Sequence, residues 1–173
     1  MAIIRKSNLP DISGPIPQTV YTLAIKSAEH KKSAASNVDM LVLTLQIVSP
    51  ASVPNEGKNV KTAGRTSVHR IVCSEKTDLW VKEIQELLGG DLPEEIDTEE
   101  LCKSAAAELN PSDDNPIKYL INVELKPVPR YKFDPATKKE VIGDDGQKIV
   151  TGYNFERVGR TWPQACTAEV AGL

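Results

Sequence analysis

A strictly alternating segment, LVLTLQIV at residues 41–48, constrains the fold of this chain more than any other feature. Its odd-numbered positions are all Leu or Ile, whereas its even-numbered positions include Thr44 and Gln46. Side chains two residues apart point to the same face of an extended strand, so this spacing predicts a strand with one face in a core. Eight residues are too few for a membrane-spanning helix, which needs about 20 apolar residues.

Four further segments alternate in the same way and predict strands at residues 20–26, 65–73, 117–125 and 149–158. Pro127 and Pro129 interrupt the fourth strand, and the pattern resumes at Tyr131 and Phe133. Because proline has no N–H to donate to a ladder, we expect this strand to lie at a sheet edge or to leave the sheet there.

Between the third and fourth strands the period changes to that of a helix. Apolar residues recur at helical spacing over residues 80–88, with Ser74 or Thr77 as the expected N-cap and Gly89-Gly90 as the expected stop. A second short helix is expected to begin at Asp97, whose carboxylate suits an N-cap.

The order is therefore three strands, a helical segment and two strands. The five-stranded Greek-key barrel called the OB-fold places its helix in this position. We predict a mainly β domain with one or two helices, built as a five-stranded OB-like Greek-key barrel with the helical segment between strands 3 and 4.

The length of 173 residues predicts a single domain at residues 19–163, because domains commonly hold about 100–200 residues. A Pro-rich extended arm is expected at 1–18 and a short tail at 164–173. The N-terminus has no apolar run long enough for a secretion signal. Three widely spaced cysteines favour reduced thiols over a disulfide framework or a zinc site. We therefore expect a cytosolic protein.

Five of the eight aromatic residues lie within residues 130–162, interleaved with cations. The rings are Tyr131, Phe133, Tyr153, Phe155 and Trp162, and the nearby cations are Arg130, Lys132, Arg157 and Arg160. Residues 126–162 carry a net charge of +3, which leaves −6 for the rest of the chain. A basic segment on an acidic body is compatible with a local site for an anion.

GDDG at 143–146 has the composition of a tight turn that would join the two aromatic segments as a hairpin. With a three-residue loop, Ile142 would pair with Gly146 and Phe133 would oppose Phe155. The rings of both strands would then lie on one face, with Arg157 in the same phase.

Rings beside guanidinium groups are what an unpaired nucleic-acid strand requires, because bases stack on aromatic side chains and cations follow the phosphates. We predict base stacking by the five rings and phosphate binding by the four cations, helped by Lys31 and Lys32 in the loop after the first strand. Neither helix has the basic face of a duplex reader. The alternative is that the rings pack in the core and the cations form an ordinary solvated surface.

No catalytic or metal site is predicted. His69 and Cys73 lie on a predicted strand, where residues four apart are about 13 Å apart. The acidic doublets suit turns and helix starts, and no Ser, Cys or Thr has a credible base partner. We therefore predict a protein that is not an enzyme and holds no metal ion.

The segment VYTLAIKSAEHKKSAASNVDMLVLTLQIVSP, the helix containing Trp80 and the basic-aromatic hairpin together resemble the OB-fold single-stranded DNA-binding proteins of tailed bacteriophages. The resemblance covers most of residues 15–162. It implies a protein that coats exposed strands without sequence preference in phage replication or recombination, in the cytoplasm of the infected host.

The resemblance further implies single-stranded DNA as the ligand, replication or recombination proteins as partners, no membrane and no cofactor, and it leaves a homo-oligomer open. Two rivals remain at this point. A phage structural or accessory protein would bury the same rings against another subunit, and a nuclease would require metal-dependent cleavage.

Overall fold

The structure, a computed structural model, describes residues 3–4 and 14–167. Ten strands and two helices are described. The strands are β1 (Thr19–Lys32), β2 (Asp39–Ser49), β3 (Ser52–Asn55), β4 (Lys58–Lys61), β5 (Thr66–Val72), β6 (Tyr119–Tyr131), β7 (Phe133–Asp134), β8 (Lys139–Glu140), β9 (Val150–Arg157) and β10 (Cys166–Thr167); the helices are α1 (Leu79–Leu88) and α2 (Thr98–Leu109).

Six strands form one antiparallel sheet in the order β10-β6-β1-β2-β5, and β9 also pairs with β6. The other four strands form two short hairpins, β3–β4 and β7–β8. Both helices lie between β5 and β6, the third and fourth long strands, so the prediction of a mainly β fold with this element order is confirmed. Within the described residues no ladder joins β5 to β9, so the sheet is not closed into a barrel.

The alternation in β2 buries one face of the strand, as predicted. Its odd-numbered side chains from Leu41 to Ile47 are at most 1% exposed and pack with Tyr21, Leu23 and Ile25 of β1. The core also receives Ile84 and Leu87 of α1 together with Cys102, Ala105 and Leu109 of α2. One face of the sheet and the apolar sides of both helices therefore form a single core.

The helix ends follow local chemistry. Gly89 adopts a left-handed conformation with φ of +74° and ends α1, and the Asp97 carboxylate accepts a hydrogen bond from Glu100 N at 3.1 Å to cap α2. Both predictions are confirmed. The N-cap of α1 is Asp78 rather than Ser74 or Thr77, and its side chain makes no capping hydrogen bond. The Thr77 hydroxyl, one residue before the cap, accepts from the N–H of Leu79, the first residue of the helix, at 3.2 Å.

The prolines of β6 lie where the strand has one neighbour. The β1–β6 ladder ends at Leu125, whereas Pro127 and Pro129 are paired with Phe155 and Tyr153 of β9. The predicted edge position is therefore confirmed for this half of β6. A missing N–H costs no ladder hydrogen bond on the side that has no partner strand.

The predicted hairpin register is wrong. Phe133 pairs with Glu140 and Phe155 pairs with Pro127, so these two rings are not opposed. The reason is an additional turn after Asp134, which accepts from Lys138 N at 2.9 Å and sends the chain into the β7–β8 hairpin. The GDDG turn does form, with Gly143 N donating to Gln147 O at 2.7 Å.

The ends of the described chain also join the fold. Ile16, in the predicted arm, is 3% exposed and belongs to the core. Cys166 and Thr167, in the predicted tail, form β10 on β6, and Ala165 N donates to Leu87 O at 2.9 Å. The compact unit therefore extends beyond the predicted limits of 19–163. The rest of the predicted arm and tail lies at 1–2, 5–13 and 168–173, outside the described residues.

Two cysteines that are distant in sequence are neighbours in space. Cys73 Sγ lies 3.7 Å from Cys102 Sγ, and both side chains are buried free thiols. The spacing in sequence concealed this pair, because it forms only when α2 packs beside the end of β5. Neither α1 nor α2 has the length and apolar content needed to cross a membrane.

Candidate nucleic-acid interface

Three of the predicted stacking rings project from the end of the β6–β9 ladder. We call residues 130–153 the hairpin extension. Phe133 is 56% exposed and Tyr153 is 37% exposed, whereas Tyr131 is half-buried with Lys148 Nζ 5.1 Å from its ring centroid. These rings lie beyond the end of the β1–β6 ladder, so the large residues of the core do not cover them.

The other two predicted stacking rings belong to the core. Phe155 is 5% exposed and Trp162 is 2% exposed, so neither ring has the open face that the predicted base stacking requires. Phe155 follows Tyr153 at the same phase of β9, but it pairs with Pro127 close to the point where β6 meets β1. Alternation predicts which face a side chain occupies, and it does not predict how far the core extends along the strand.

Arg157 does not lie free for a phosphate. Its guanidinium group forms an ion pair with Glu83 of α1, lies 3.0 Å from His69 Nε2 of β5 and donates to Arg160 O at 2.6 Å. Its Cζ also lies 5.2 Å from the ring centroid of Trp162. The side chains of Arg157 and Glu83 are 13% and 7% exposed, so this pair is largely removed from water. Arg157 therefore links β9, β5, α1 and the segment that follows β9.

The remaining predicted cations of this region are exposed. Arg130, Lys132 and Arg160 have no carboxylate partner within 4.0 Å among the residues that the structure describes. Arg130 lies directly across from Gly152, and a Cβ atom at Gly152 would come within 2.7 Å of Arg130 Nη2. Glycine at this position therefore leaves room for the guanidinium group against the strand.

Lys31 and Lys32 lie at the opposite end of the sheet from the hairpin extension. Lys31 forms an exposed ion pair with Glu29 at 3.3 Å, which is a weak interaction in water. Lys32 Nζ lies 2.8 Å from Asp39 Oδ1, so its ammonium group already has a carboxylate partner. The two predicted helpers are therefore not brought together with the three exposed rings.

The order of contacts along β5 and β9 establishes this separation. Ser67 Oγ donates to Phe155 O at 3.3 Å and His69 lies beside Arg157, so the two strands run in the same direction. Tyr153 and the hairpin extension consequently lie beyond the Thr66 end of β5, whereas Lys31 pairs with Met40 at the other end of β2.

One candidate cation was missed from the sequence. Arg70 is exposed near the middle of β5, on the outer face formed by Thr44, Gln46, Thr66, Val68 and Arg70, which we call the β2–β5 face. The Arg70 side chain forms no ion pair and no hydrogen bond with another described residue. The alternation of β5 already placed Arg70 on the face opposite to the buried Ile71, and that signal could have identified it.

A second charged cluster surrounds Asp39 at the start of β2. Its carboxylate accepts from Lys32 Nζ at 2.8 Å and Thr98 Oγ1 at 2.7 Å, and it lies 2.6 Å from His30 Nε2. The hydrogen bonds from Lys32, Thr98 and His30, in that order, hold the pKa of Asp39 well below its usual range. Three elements, β1, β2 and α2, are therefore joined through one ionised carboxylate.

This cluster predicts acid sensitivity. Because the pKa of Asp39 is lower in the folded state than in the unfolded state, its stabilising contribution is complete above the unfolded value of about 3.9 and is lost as the pH falls toward the folded value. We expect the melting temperature of the Asp39→Asn variant to fall less steeply than that of the parent below about pH 5, with the two curves converging in strong acid. Thermal melting in a pH series measures this, and parallel curves would contradict the prediction.

The described residues contain no group of three or more His, Cys, Asp or Glu side chains placed to hold a metal ion. The arrangement instead offers exposed rings and uncompensated cations at one end of the sheet and Arg70 on the adjoining outer face. Comparison of the chain with models of known protein families finds no matching family, and comparison with curated proteins finds no matching relative.

Proposed function

We propose that this protein binds single-stranded DNA without a defined recognition sequence and coats exposed strands during phage replication or recombination. The observation that carries the proposal is the hairpin extension, which contains the exposed rings of Phe133 and Tyr153 together with Arg130 and Lys132, two cations without a carboxylate partner in the described chain. Stacking on such rings tolerates any base, and the cations follow the backbone.

The strand arrangement supports an OB-type barrel as the scaffold. The order β5-β2-β1-β6-β9, with helices after the third long strand, is compatible with a partly open five-stranded Greek-key barrel. Ser67 and His69 of β5 contact Phe155 and Arg157 of β9, which brings the first and last strands of this order side by side. In such barrels oligonucleotides lie across the second and third strands, between the loops that join strands 1–2 and 4–5.

These positions suggest a path for the bound strand. The hairpin extension occupies the connection between the fourth and fifth strands. Lys31 and Lys32, predicted in the loop after the first strand, are instead the last two residues of β1, next to its connection to β2, and Arg70 lies on the β2–β5 face between these two ends. Met40 of β2 pairs with Lys31 at one end, and Gln46 pairs with Thr66 at the end nearer the hairpin extension. The six residue steps between Met40 and Gln46 correspond to about 20 Å along the strand. A span of this length suits the few nucleotides that one such barrel contacts.

A second function has a specific observation in its favour. The hairpin extension exposes aliphatic side chains as well as rings: Ile142 is 57% exposed, Val150 is 44% exposed and Ile149 is 37% exposed. Exposed apolar side chains grouped on one projection also suit a protein interface. The alternative is therefore a phage structural or accessory protein whose hairpin extension binds another subunit.

Titration of a fluorescent oligonucleotide tests the proposal. If Arg130, Lys132, Arg160 and Arg70 contact phosphates, the logarithm of the binding constant should fall with the logarithm of salt concentration with a slope near −3, at about −0.7 for each contact. Alanine at any one of the four should flatten the slope by about 0.7. Lys103→Ala is the control, because Lys103 lies on α2 paired with Glu99 and should leave the slope unchanged.

Selectivity separates the two functions. Stacking faces are accessible in unpaired strands, so single strands should compete far better than duplex of the same length. Equal competition by duplex, or a slope near zero, would contradict the proposal. Loss of self-association or of a co-purifying protein on changing Ile142 to Ser, with no measurable DNA binding by the parent, would establish the alternative.

A further inference from the structure

An open groove of about 340 Å³ lies at the start of α2, far from the hairpin extension. Its apolar part is formed by Pro93, Ile96 and Leu101, and the side chains of Ile96 and Leu101 are only half-buried. A cavity of about 150 Å³ accommodates benzene, so the groove has room for two aliphatic side chains. It therefore offers an apolar surface that the described chain leaves uncovered.

The rim of this groove is acidic. Glu95, Asp97 and Glu100 line it, and none of them forms an ion pair with another described residue. Residues 91–104 contain six Asp or Glu and one Lys, a net charge of −5, and that lysine is already 2.7 Å from another carboxylate of α2. Complementary charge favours the correct partner of a surface, so an apolar segment that carries cations suits this groove.

The chain itself contains such a segment at residues 3–6. Ile3 is 90% exposed and Ile4 is 72% exposed, more than any other large apolar side chain of the described residues. Arg5 and Lys6 follow them directly in sequence. The segment thus matches the groove in apolar character and in charge, yet in the single chain Ile3 and Ile4 lie in water and do not cover it.

The groove and the first strand's entry into the fold lie at opposite ends of the sheet. Thr98 Oγ1, at the start of α2, donates to Asp39 Oδ2 at 2.7 Å, and Asp39 pairs with Lys32. Gly14 O instead accepts from the guanidinium group of Arg65, at the end of the sheet nearer the hairpin extension. A contact between two such different surfaces is heterologous, so each added copy leaves one groove and one segment free for the next.

We propose that the groove receives Ile3 and Ile4 of a second copy of this chain. Arg5 and Lys6 of that copy would lie beside the carboxylates of the rim. Copies joined in this way form an open row rather than a closed pair. The association needs no nucleic acid, so it is independent of the proposed function.

Sedimentation of the full chain without DNA tests the association. The average mass should rise with protein concentration and fall with added salt, because salt screens exposed charges. Ile3→Ser together with Ile4→Ser should weaken the association at least about tenfold, because two aliphatic side chains no longer leave water. Ile142→Ser is the control, since Ile142 is 57% exposed on the hairpin extension and should not contribute.

Charge reversal identifies the two surfaces. One variant carries Arg5→Glu with Lys6→Glu, and the other carries Glu95→Lys with Glu100→Lys. Each should stay monomeric alone, because its segment and its groove then have the same sign of charge. An equal mixture should associate, because each segment meets a groove of opposite sign, and this recovery also shows that both variants are folded.

A second pair of measurements excludes a general effect of charge. Asp113→Lys with Asp114→Lys makes the same change of charge on exposed residues after α2 and should leave the association unchanged. A synthetic peptide with the sequence of residues 1–9, added to the full chain, should dissociate the copies. In nuclear magnetic resonance it should also shift the methyl signals of Ile96 and Leu101.

Three outcomes would overturn the inference. The first is the mass of one chain at every concentration; if the methyl signals of Ile96 and Leu101 then respond to the change at Ile3 and Ile4, the groove holds the segment of its own chain. The second is association that persists when the segment is changed, and the third is a mixture of charge variants that stays monomeric. Oligonucleotide titration decides the proposed function separately, so either can fail while the other stands.

Discussion

Phe155→Ala is expected to lower the free energy of unfolding by about 3–5 kcal/mol, because the ring is 5% exposed and its removal leaves a cavity in the core. If the protein binds single-stranded DNA as proposed, that binding should fall only to the extent that less protein is folded. Chemical denaturation gives the stability, and titration under conditions where the variant remains folded gives the affinity.

Phe133→Ala is the matched control, since Phe133 is the other phenylalanine of the chain and is 56% exposed. Its removal should change stability by no more than about 0.5 kcal/mol. Its removal should weaken binding by about 1–3 kcal/mol if it stacks on a base. Similar stabilities of the two variants would show that Phe155 is not a core residue.

Arg157→Ala should be equally damaging, with an expected loss of about 3–5 kcal/mol of unfolding free energy. The substitution leaves the Glu83 carboxylate buried without its guanidinium partner and uncovers the ring of Trp162. His69 Nε2, 3.1 Å from Glu83, offers partial compensation and favours the lower end of that range. Urea unfolding of the variant measures the loss.

Two comparisons identify the cause. Arg160→Ala removes an exposed cation three residues later and should change stability by no more than about 0.5 kcal/mol. The double variant Glu83→Leu with Arg157→Met replaces the pair by apolar residues and should recover most of the lost stability. A double variant as unstable as the sum of its single changes would mean that the ion pair is not the source of the effect.

Features that depend on neighbours in sequence were predictable. The alternation of residues 41–48 required a half-buried strand, Gly89 suited the left-handed end of a helix, and the Asp97 carboxylate suited a cap. Each depends on a few adjacent residues and on backbone geometry that the residue type itself favours. The order of strands and helices followed from the same local signals.

The depth of each aromatic side chain was not predictable in this way. Tyr153 and Phe155 share a face of β9, yet the first projects beyond the core and the second fills it. The two rings differ because the β1–β6 ladder ends at Leu125, and the core ends close to that position. Where a ladder ends depends on how the strands assemble and not on the local sequence. An additional turn at Asp134 also changed the register, because two turn signals close together allow more than one hairpin.

The role of Arg157 could not be read from its position in a basic segment. Its partners, Glu83 and His69, are 74 and 88 residues away in sequence. A cation near aromatic rings indicates a site for an anion. The sequence pattern does not distinguish a bound phosphate from a carboxylate of the same chain. The structure assigns that anion to Glu83 for Arg157, whereas Arg130 and Lys132 have no such partner in the described residues.

Strand β6 joins parts of the chain that are synthesised far apart. Its first half is paired with β1 and β10, and its second half is paired with β9 alone. The β6–β9 pairing is a hairpin between neighbouring segments, whereas the β1–β6 pairing joins residues such as Thr22 and Asn122, 100 positions apart. The early strands β1, β2 and β5 can pair with one another, but their sheet has an open edge along β1 until β6 arrives. Among the pairings of this sheet, the β1–β6 pairing closes the longest loop and therefore has the greatest loop-closure cost. This same pairing determines where the exposed rings of the hairpin extension lie relative to the β2–β5 face.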